Sequence, residues 1–299
     1  MTIAELTGRA GVSAKHLLML SSVVLLWGAS FTLLKLGLEG IPPIDLAFLR
    51  FLIAMAFFVT IGYSLDRGIF GLSILKDWKV ILAMGLAGVT FYNVFQNVGL
   101  EYTTASNSSL LVASNPVFIT LLAHFYLGEK MKRMQMAGVA VAILGIVFIV
   151  GPSRLSFGLE SALGDLLSLG AAVSWAVCSI LGKKVLAKYG ALKVTFFSNL
   201  FGTAFLLPPL FVAEELVLPT SASLWLLLFI LGVLCSGLAY FFWYRVLEDV
   251  PVTKAGVSLF FVPVVSVTVA WLVLSEPVGF DFILGAFLVV LGVVLTERG

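Results

Sequence analysis

Ten stretches of this sequence run for 15 to 29 residues without a charged side chain. A helix needs roughly 20 residues to cross the hydrocarbon of a bilayer, and the three shortest stretches reach that length only by including flanking residues such as Asp45, Asp165 or Asp281. A membrane β-barrel would instead show alternating polarity in runs of about ten residues. The sequence therefore predicts ten transmembrane helices. Numbered in chain order as windows 1 to 10, the stretches are 16–34, 51–65, 80–100, 102–128, 134–153, 166–182, 194–213, 216–244, 255–275 and 282–296.

Composition excludes a soluble domain. Hydrophobic residues make up 61% of the chain and charged residues 11%, whereas ordinary soluble domains have about 45–50% and about 25%. A core of this size cannot hide so much apolar surface, so lipid must cover part of it. The predicted fold class is an all-α integral membrane protein.

Windows 4 and 9 are interrupted and terminated in the same way. Pro116 and Pro263 are 147 residues apart, and so are Glu129 and Glu276. Further matches at this offset, or at 148, are Trp27/Trp175, Lys35/Lys183, Trp78/Trp225, Gly85/Gly232, Glu101/Glu248, Gly138/Gly285 and Gly145/Gly292. The chain is therefore predicted to consist of two copies of a five-helix unit. The predicted division is a cytoplasmic segment 1–16, a first repeat 17–150, a linker 151–164 and a second repeat 165–299.

An odd number of helices in each copy requires the second copy to enter the membrane upside down. The loop between windows 2 and 3 carries Arg67 and Lys76, whereas its counterpart between windows 7 and 8 carries Glu214 and Glu215. Cationic loops stay in the cytoplasm, so both termini are predicted inside and the repeats inverted. We expect the first window to be a helix and not a cleaved signal. Fifteen of the 18 Lys/Arg then lie on one face: Arg9, Lys15, Arg67, Lys76, Lys79, Lys130, Lys132, Arg133, Lys183, Lys184, Lys188, Lys193, Arg245, Lys254 and Arg298.

Several motifs resemble the EamA branch of the drug/metabolite transporter superfamily. They are WGASFTLLK (27–35), FLRF (48–51), LGE (127–129) and SWAVCSILGKK (174–184), with LSEP at 274–277. The resemblance covers residues 17 to 296 and implies an inner-membrane carrier, commonly an exporter of amino acids or other small metabolites. The second copy departs from the first at Arg50, which aligns with Ser198 or Asn199, so any role of this arginine is not duplicated.

The two matched prolines are candidate hinges. A proline within a helix leaves a carbonyl without its amide partner and bends the helix. Pro116 and Pro263 are each predicted to form a hinge or a kink that opens a cavity; a static kink packed against neighbouring helices is the alternative.

Candidate substrate-binding residues lie near the centres of several windows. Trp27 and Ser30, with their counterparts Trp175 and Cys178, fall at the middle of windows 1 and 6. A buried tryptophan needs a partner for its indole N–H, so these residues either contact a substrate or pack between helices. Asn115 is placed at mid-membrane in window 4 and is also predicted to line a cavity.

Windows 3 and 8 add polar and aromatic candidates. Asn93 and Tyr240 are predicted deep enough to bind a substrate. Depth counting from residue 78 puts Gln96 and Asn97 of window 3 near headgroups. Trp243 and Tyr244 of window 8 fit an interfacial aromatic belt.

Arg50 is a costly intramembrane cation and a candidate partner for a substrate carboxylate. Its alternative role is structural, by reaching outward or by pairing with Asp45, Glu39 or Glu101.

No Asp or Glu falls at the centre of a window, and proton-driven carriers usually use such acids. A facilitator, or coupling at the cavity mouths, is therefore the expectation. We expect no cofactor, no metal site and no catalytic constellation, because the chain has two histidines and no grouping of a nucleophile with a base.

The predicted function is a secondary transporter that exports small metabolites such as amino acids by alternating access. Facilitators or exchangers of drug-like or sugar-phosphate-like solutes, a membrane-embedded enzyme and a channel are the alternatives. Expected partners are a small-molecule substrate and the lipid bilayer, with no nucleic acid. Coupling is to a proton or to no ion, and the assembly is a monomer or a homodimer.

Overall fold

The computed structural model describes residues 13–65, 67–127, 131–150, 159–207, 216–250, 255 and 257–298. Within these residues the chain forms thirteen α-helices and no strand. They are α1 Ala14–Leu38, α2 Pro43–Leu65, α3 Trp78–Gly85, α4 Tyr92–Tyr102, α5 Ala105–Val112, α6 Asn115–Leu127, α7 Arg133–Val150, α8 Leu159–Tyr189, α9 Ala191–Phe205, α10 Ala222–Phe229, α11 Ala239–Asp249, α12 Phe261–Leu274 and α13 Phe280–Arg298.

Six helical stretches of the described chain are long and apolar enough to cross a membrane. Their outer surfaces are apolar: Leu18 is 70% exposed and Phe125 is 76% exposed. Since monomeric soluble proteins rarely expose continuous apolar surface on this scale, the protein is a multi-pass membrane protein. The six stretches are Ala14–Leu38, Pro43–Ser64, Leu72–Tyr102, Ala105–Leu122, Leu159–Gly182 and Ala222–Leu247. Shorter apolar helices cover Arg133–Phe148, Phe261–Leu274 and Phe282–Thr296.

The predicted repeat boundaries fall partly outside the described residues. Of the predicted linker, residues 159–164 belong to α8, and the others lie in the undescribed segment 151–158. The predicted terminal segment 1–16 likewise overlaps α1, which begins at Ala14 after the N-cap Ser13.

Both prolines lie where a helix is interrupted. Window 4 divides into α5 and α6, and Pro116 lies in the first turn of α6 after a turn at Ala113–Ser114. In window 9 a 3₁₀ segment, Val257–Phe260, precedes α12, and Pro263 lies in the first turn of α12. Proline is tolerated in a first turn because the N–H it lacks has no partner within the helix there. Each proline therefore marks the start of a second half-helix.

Windows 3 and 8 each contain a π-helical segment. Leu86–Phe91 joins α3 to α4, and Ile230–Leu238 joins α10 to α11. The last residues of the two segments, Phe91 and Leu238, are 147 positions apart. A π turn adds a residue to the helical repeat and rotates the side chains that follow it, and such turns are frequent at functional sites. Neither segment was predicted from the sequence.

Helices α7 and α13 pack closely against each other through glycines. A Cβ atom added at Gly138 would lie 2.6 Å from the carbonyl oxygen of Gly292, and one at Gly145 would lie 2.8 Å from that of Gly285. The residue numbers rise along α7 as they fall along α13, so the two helices are antiparallel. Small residues let membrane helices approach this closely.

Helices from the two predicted repeats interleave. Helix α1 packs against α12, and α4 packs against α8. The backbones of α4 and α8 nearly touch, because a Cβ at Gly99 would lie 2.9 Å from the carbonyl oxygen of Gly164. The buried interior therefore lies largely between the two parts of the chain.

Candidate functional site

A cavity lies at the centre of the bundle, where α1, α2, α4, α5, α8 and α11 meet. The space between its walls is about 610 Å³, including the open mouth. Its lining consists of Trp27, Ser30, Phe31, Arg50, Tyr92, Gln96, Ser109, Val112, Ala113, Asn115, Trp175, Cys235, Tyr240, Leu259 and Val262.

Four aromatic side chains form one wall, which we call the aromatic box: Trp27, Tyr92, Trp175 and Tyr240. The ring centroids of Trp27 and Trp175 are 5.8 Å apart in an edge-to-face arrangement, a preferred geometry for aromatic pairs. Trp27 also lies 5.5 Å from Tyr240, and Trp175 lies 5.4 Å from Tyr92. Trp27 matches Trp175, and Tyr92 matches Tyr240, at an offset of 148, so each of these two contacts joins one residue of the first matched pair to one of the second. Trp175 also lies 5.8 Å from Tyr240.

The indole of Trp27 is fixed by a hydrogen bond. Its Nε1–H donates to the carbonyl oxygen of Cys235 at 3.1 Å, which lies in the π segment Ile230–Leu238. This bond supplies the partner that a buried indole requires. Trp27 is thus held by the opposite part of the chain and still presents its ring to the cavity.

Arg50 is the one charged side chain in the described lining of the cavity. It is 4% exposed, and its Nε and Nη1 have no hydrogen-bond partner. Its guanidinium carbon lies 5.0 Å from the ring centroid of Phe51. The alternative role as an ion-pair partner is not seen: the carboxylate of Asp45 accepts the backbone N–H of Val217 at 2.9 Å. Among the described acids, none forms an ion pair with Arg50.

Neutral polar groups complete the lining. Ser30 donates its hydroxyl to the carbonyl oxygen of Trp27 at 2.7 Å, and Ser109 donates to that of Ser106 at 2.8 Å. Gln96 and Asn115 are buried at 2% and 8% exposure. The lining in the described chain therefore combines aromatic rings, neutral polar groups and a single cation.

Six of the eight predicted substrate-binding residues line this cavity: Trp27, Ser30, Arg50, Asn115, Trp175 and Tyr240. The other two do not. Asn93 is fully buried and donates Nδ2–H to the carbonyl oxygen of Val89 at 2.6 Å. The thiol of Cys178 packs against Gly88: a Cβ added to this glycine would lie 2.5 Å from the Cys178 sulfur.

Four residues expected near the membrane interfaces are buried inside the protein. Gln96 and Asn97 are buried, and Asn97 donates to the carbonyl oxygen of Pro43 at 3.0 Å. Helix α4 continues to Tyr102, six residues or about 9 Å beyond Gln96. Trp243 and Tyr244 are also buried, and Trp243 lies 5.7 Å from Trp27.

Tyr92 was missed as a lining residue because nothing in its neighbourhood marks it as polar or unusual. The signal that would have found it is its match to Tyr240 at the offset of 148. Val112 and Leu259 were also missed. They precede Pro116 and Pro263 by four residues, on the N-terminal side of each interruption, and both line the cavity.

A cluster of buried polar groups lies at the corner between α4 and α5. Glu276 is 8% exposed and accepts the backbone N–H groups of Ala105 and Ser106 at 2.8 and 3.0 Å, as well as the Ser106 hydroxyl at 2.6 Å. A carboxylate at a helix N-terminus satisfies unpaired amides and interacts favourably with the helix dipole. Ser275, with φ of 55°, turns the chain so that the carboxylate reaches α5, a strained conformation for a residue with a Cβ.

The same corner contains a buried aspartate. Asp165 is fully buried and accepts hydrogen bonds from the Thr103 hydroxyl and from Asn107. Lys35 donates to the carbonyl oxygens of Leu100 and Thr103. Neither acid lies at the centre of a window, as the sequence indicated, but Asp165 and Glu276 are both buried. The predicted counterpart, Glu129, lies outside the described residues.

Comparison with known proteins places the chain among transporters. The chain is 33% identical to an uncharacterized transporter of Archaeoglobus fulgidus, over 95% of this chain and 98% of that protein. It is 29% identical to the uncharacterized transporter YoaV of Bacillus subtilis (93% and 95% covered). It is 31% identical to a probable terminal-alkyne amino-acid exporter of Streptantibioticus cattleyicolor (92% and 91% covered).

A solved structure with 23% sequence identity shares the fold, with a TM-score of 0.67 over 93% of this chain and 94% of the other. The model of the EamA-like transporter family matches twice, over residues 14–151 and again over 162–298. The resemblance inferred from the motifs is thereby confirmed, and the chain belongs to the EamA-like transporter family.

Proposed function

We propose that this protein is a secondary transporter that exports small metabolites such as amino acids across the cytoplasmic membrane. Ten helices in two inverted five-helix repeats alternate access to the central cavity. The observation that supports the proposal is that one central cavity is lined by Trp27 and Trp175 and by Tyr92 and Tyr240, which are matched pairs from the two proposed halves. Inverted-repeat carriers bind their substrates between such halves.

Reciprocal contacts support the twofold relation. Trp27 contacts Tyr240 as Trp175 contacts Tyr92, and matched residues exchange partners in this way only about a twofold axis. The double match of the family model, over two segments of similar length, is further support.

Antiparallel packing of α7 against α13 supports the inversion. Gly138 and Gly145 match Gly285 and Gly292 in the repeat, yet Gly138 meets Gly292 and Gly145 meets Gly285. Two copies of one helix that run in opposite directions in the same bilayer require copies of opposite orientation. The bias of Lys and Arg toward one face supports an orientation with both termini in the cytoplasm.

Six lining residues bind the substrate in this proposal: Trp27, Ser30, Arg50, Asn115, Trp175 and Tyr240. Pro116 and Pro263 act as hinges at which α6 and α12 tilt. The matched π segments supply further points where helices α3–α4 and α10–α11 flex.

Export of amino acids is supported by the printed name of the Streptantibioticus relative. The corner formed by Glu276, Ser106, Thr103 and Asp165 lies at the outer end in this orientation, and it closes the outward path when its hydrogen bonds form. Coupling is either to protons at this corner or to no ion.

Counterflow in proteoliposomes tests the transport function. Vesicles containing purified protein and loaded with an unlabelled amino acid mixture are expected to accumulate the labelled amino acid transiently. Protein-free vesicles and vesicles with Trp27→Ala, Trp175→Ala protein serve as controls. A channel or an enzyme gives no such overshoot, and absence of counterflow for every solute in a broad metabolite panel would refute the proposal.

Labelling of single cysteines tests the inversion separately. Leu72→Cys and Leu218→Cys lie in matching loops and are exposed at 67% and 52%, whereas both native cysteines are buried. An impermeant maleimide added to intact cells is expected to label position 218 and not position 72. Labelling of both from one side would exclude inverted repeats.

A further inference from the structure

No acid in the described part of the chain forms an ion pair with Arg50. Removing a guanidinium from water costs several kcal/mol unless hydrogen bonds and an opposite charge compensate for it. Two of its three nitrogens have no partner although the residue is 4% exposed, and Asp45, the acid nearest in sequence, is engaged by Val217. The side chain therefore carries unused donors at the edge of an open cavity.

The position of Arg50 is fixed by close packing of its backbone. A Cβ at Gly232, in the π segment Ile230–Leu238, would lie 2.9 Å from the Arg50 carbonyl oxygen. This contact holds α2 against the opposite part of the chain. The backbone of Arg50 is thus held next to the cavity, and the residue lines the cavity wall.

The charge also breaks the symmetry of the site. The aromatic box is matched across the pseudo-twofold axis, but the position matching Arg50 is Ser198, which donates its hydroxyl to the carbonyl oxygen of Thr195 at 3.1 Å. One end of the cavity is therefore cationic and the remainder is aromatic and neutral. A ligand with one anionic end and one apolar end fits this arrangement in a single orientation.

We propose that the cavity recognises small monocarboxylates with an apolar body, the carboxylate binding Arg50 and the apolar body lying against the aromatic box. This inference rests on the proposed function, since it takes the same cavity as the transport site. No acid is present among the described lining residues, so a ligand ammonium group gains no ion pair there. The carboxylate is required, and an amino group is dispensable.

Aromatic boxes also bind organic cations through cation–π interactions. The fixed positive charge of Arg50 disfavours such ligands in this cavity, because two like charges in a low-dielectric site repel strongly. Amines of the same size and shape are thus the decisive comparison.

Isothermal titration calorimetry on the purified full chain tests the proposal with three probes that share a phenyl ring. They are 3-phenylpropanoate, phenylalanine and phenethylamine. Binding of the first two and not of the third is expected, because an arginine–carboxylate hydrogen bond is a strong, charge-assisted one. Binding of phenethylamine with equal or higher affinity than 3-phenylpropanoate would overturn the proposal without any variant.

Arg50→Gln is expected to weaken 3-phenylpropanoate binding by about tenfold to a hundredfold. The matched control is Arg67→Gln, which removes one positive charge from an exposed arginine outside the cavity and leaves affinity unchanged. Thermal unfolding of the ligand-free variants gives a second readout. Since the unpaired charge is lost, Arg50→Gln should unfold at the wild-type temperature or above it, whereas a structural arginine would give a lower one.

Arg50→Lys separates geometry from charge if the glutamine variant does not fold. Lysine retains the charge but lacks the planar pair of donors, so intermediate affinity is expected. Unchanged carboxylate affinity in both variants would refute the role of Arg50. Counterflow of labelled 3-phenylpropanoate distinguishes the two proposals. Binding without counterflow would support the carboxylate site and refute the transport function. Counterflow of phenethylamine alone would support the transport function and refute the carboxylate site.

Discussion

Replacement of Gly292 by alanine tests the close packing of α7 against α13. The added Cβ would lie 2.6 Å from the carbonyl oxygen of Gly138 and 2.6 Å from the Cβ of Ala142. The backbone nitrogen of Ala142 would be closer still. An unstrained carbon–oxygen contact is about 3.3 Å or longer, so the contact with Gly138 alone requires the two helices to separate by roughly 0.7 Å. A gap of about this width forfeits a quarter to a half of the dispersion energy of the neighbouring contacts.

Overpacking of this kind typically costs about 1–3 kcal/mol, and we expect a loss in that range for Gly292→Ala. The free energy of unfolding in mixed micelles, from titration with a denaturing detergent, measures the effect. Gly279→Ala is the matched control, because a Cβ at Gly279 meets no atom within 4 Å. Equal stability of the two alanine variants would contradict the close approach.

The double variant Gly138→Ala, Gly292→Ala sharpens the test. Both Cβ atoms push apart the same two backbones, so the separation forced by the first accommodates much of the second. The combined loss is therefore expected to be smaller than the sum of the single losses. Additive losses would mean that the two glycines lie in independent contacts.

Three further outcomes follow from the described contacts. Glu276→Gln should destabilise the protein by about 1–3 kcal/mol, because an amide nitrogen cannot accept the bonds that a carboxylate oxygen accepts from Ser106. The control is Glu101→Gln, at an exposed glutamate. Equal unfolding curves for the two variants would refute the capping role. Pro116→Ala and Pro263→Ala each remove the ring that fixes φ at the start of α6 and α12, so the interruption in each helix is expected to be less sharply defined and counterflow to slow at unchanged substrate affinity; unchanged rates would leave static kinks. Trp27→Phe removes the hydrogen bond to the carbonyl oxygen of Cys235 and should lower the free energy of unfolding by about 1–3 kcal/mol. The control is Trp225→Phe, at a tryptophan that is 47% exposed, which should lower it by less than about 0.5 kcal/mol.

The sequence predicts the membrane class and six of the fifteen lining residues of the cavity, because both depend on side-chain chemistry. Charge-free runs identify helices in lipid, and the matched Trp27 and Trp175 identify a contact between related positions. The prolines also identify the interrupted helices, because a missing N–H affects the backbone at the proline itself.

The features that the sequence did not predict depend on tertiary contacts. The π segments have no recognisable residue pattern, so the rotation that buries Trp243 and brings Tyr92 to the cavity was not expected. The cap that Glu276 forms was not predicted, because its partners, Ala105 and Ser106, lie far away in the chain. Burial of Gln96 depends on where α4 ends, and helix ends are the least certain part of a charge-free window.

The cap that Glu276 places on α5 has a consequence for biogenesis. Ser106 leaves the ribosome 170 residues before its partner, and synthesis proceeds at about 5–20 residues per second, so the interval is roughly 10–30 seconds. During that time the amide groups at the start of α5 must be satisfied by water, headgroups or the insertion machinery. A nascent chain that stopped before residue 276 would carry an unfinished helix end, and this marks it chemically as a target for quality-control proteases until the last helices arrive.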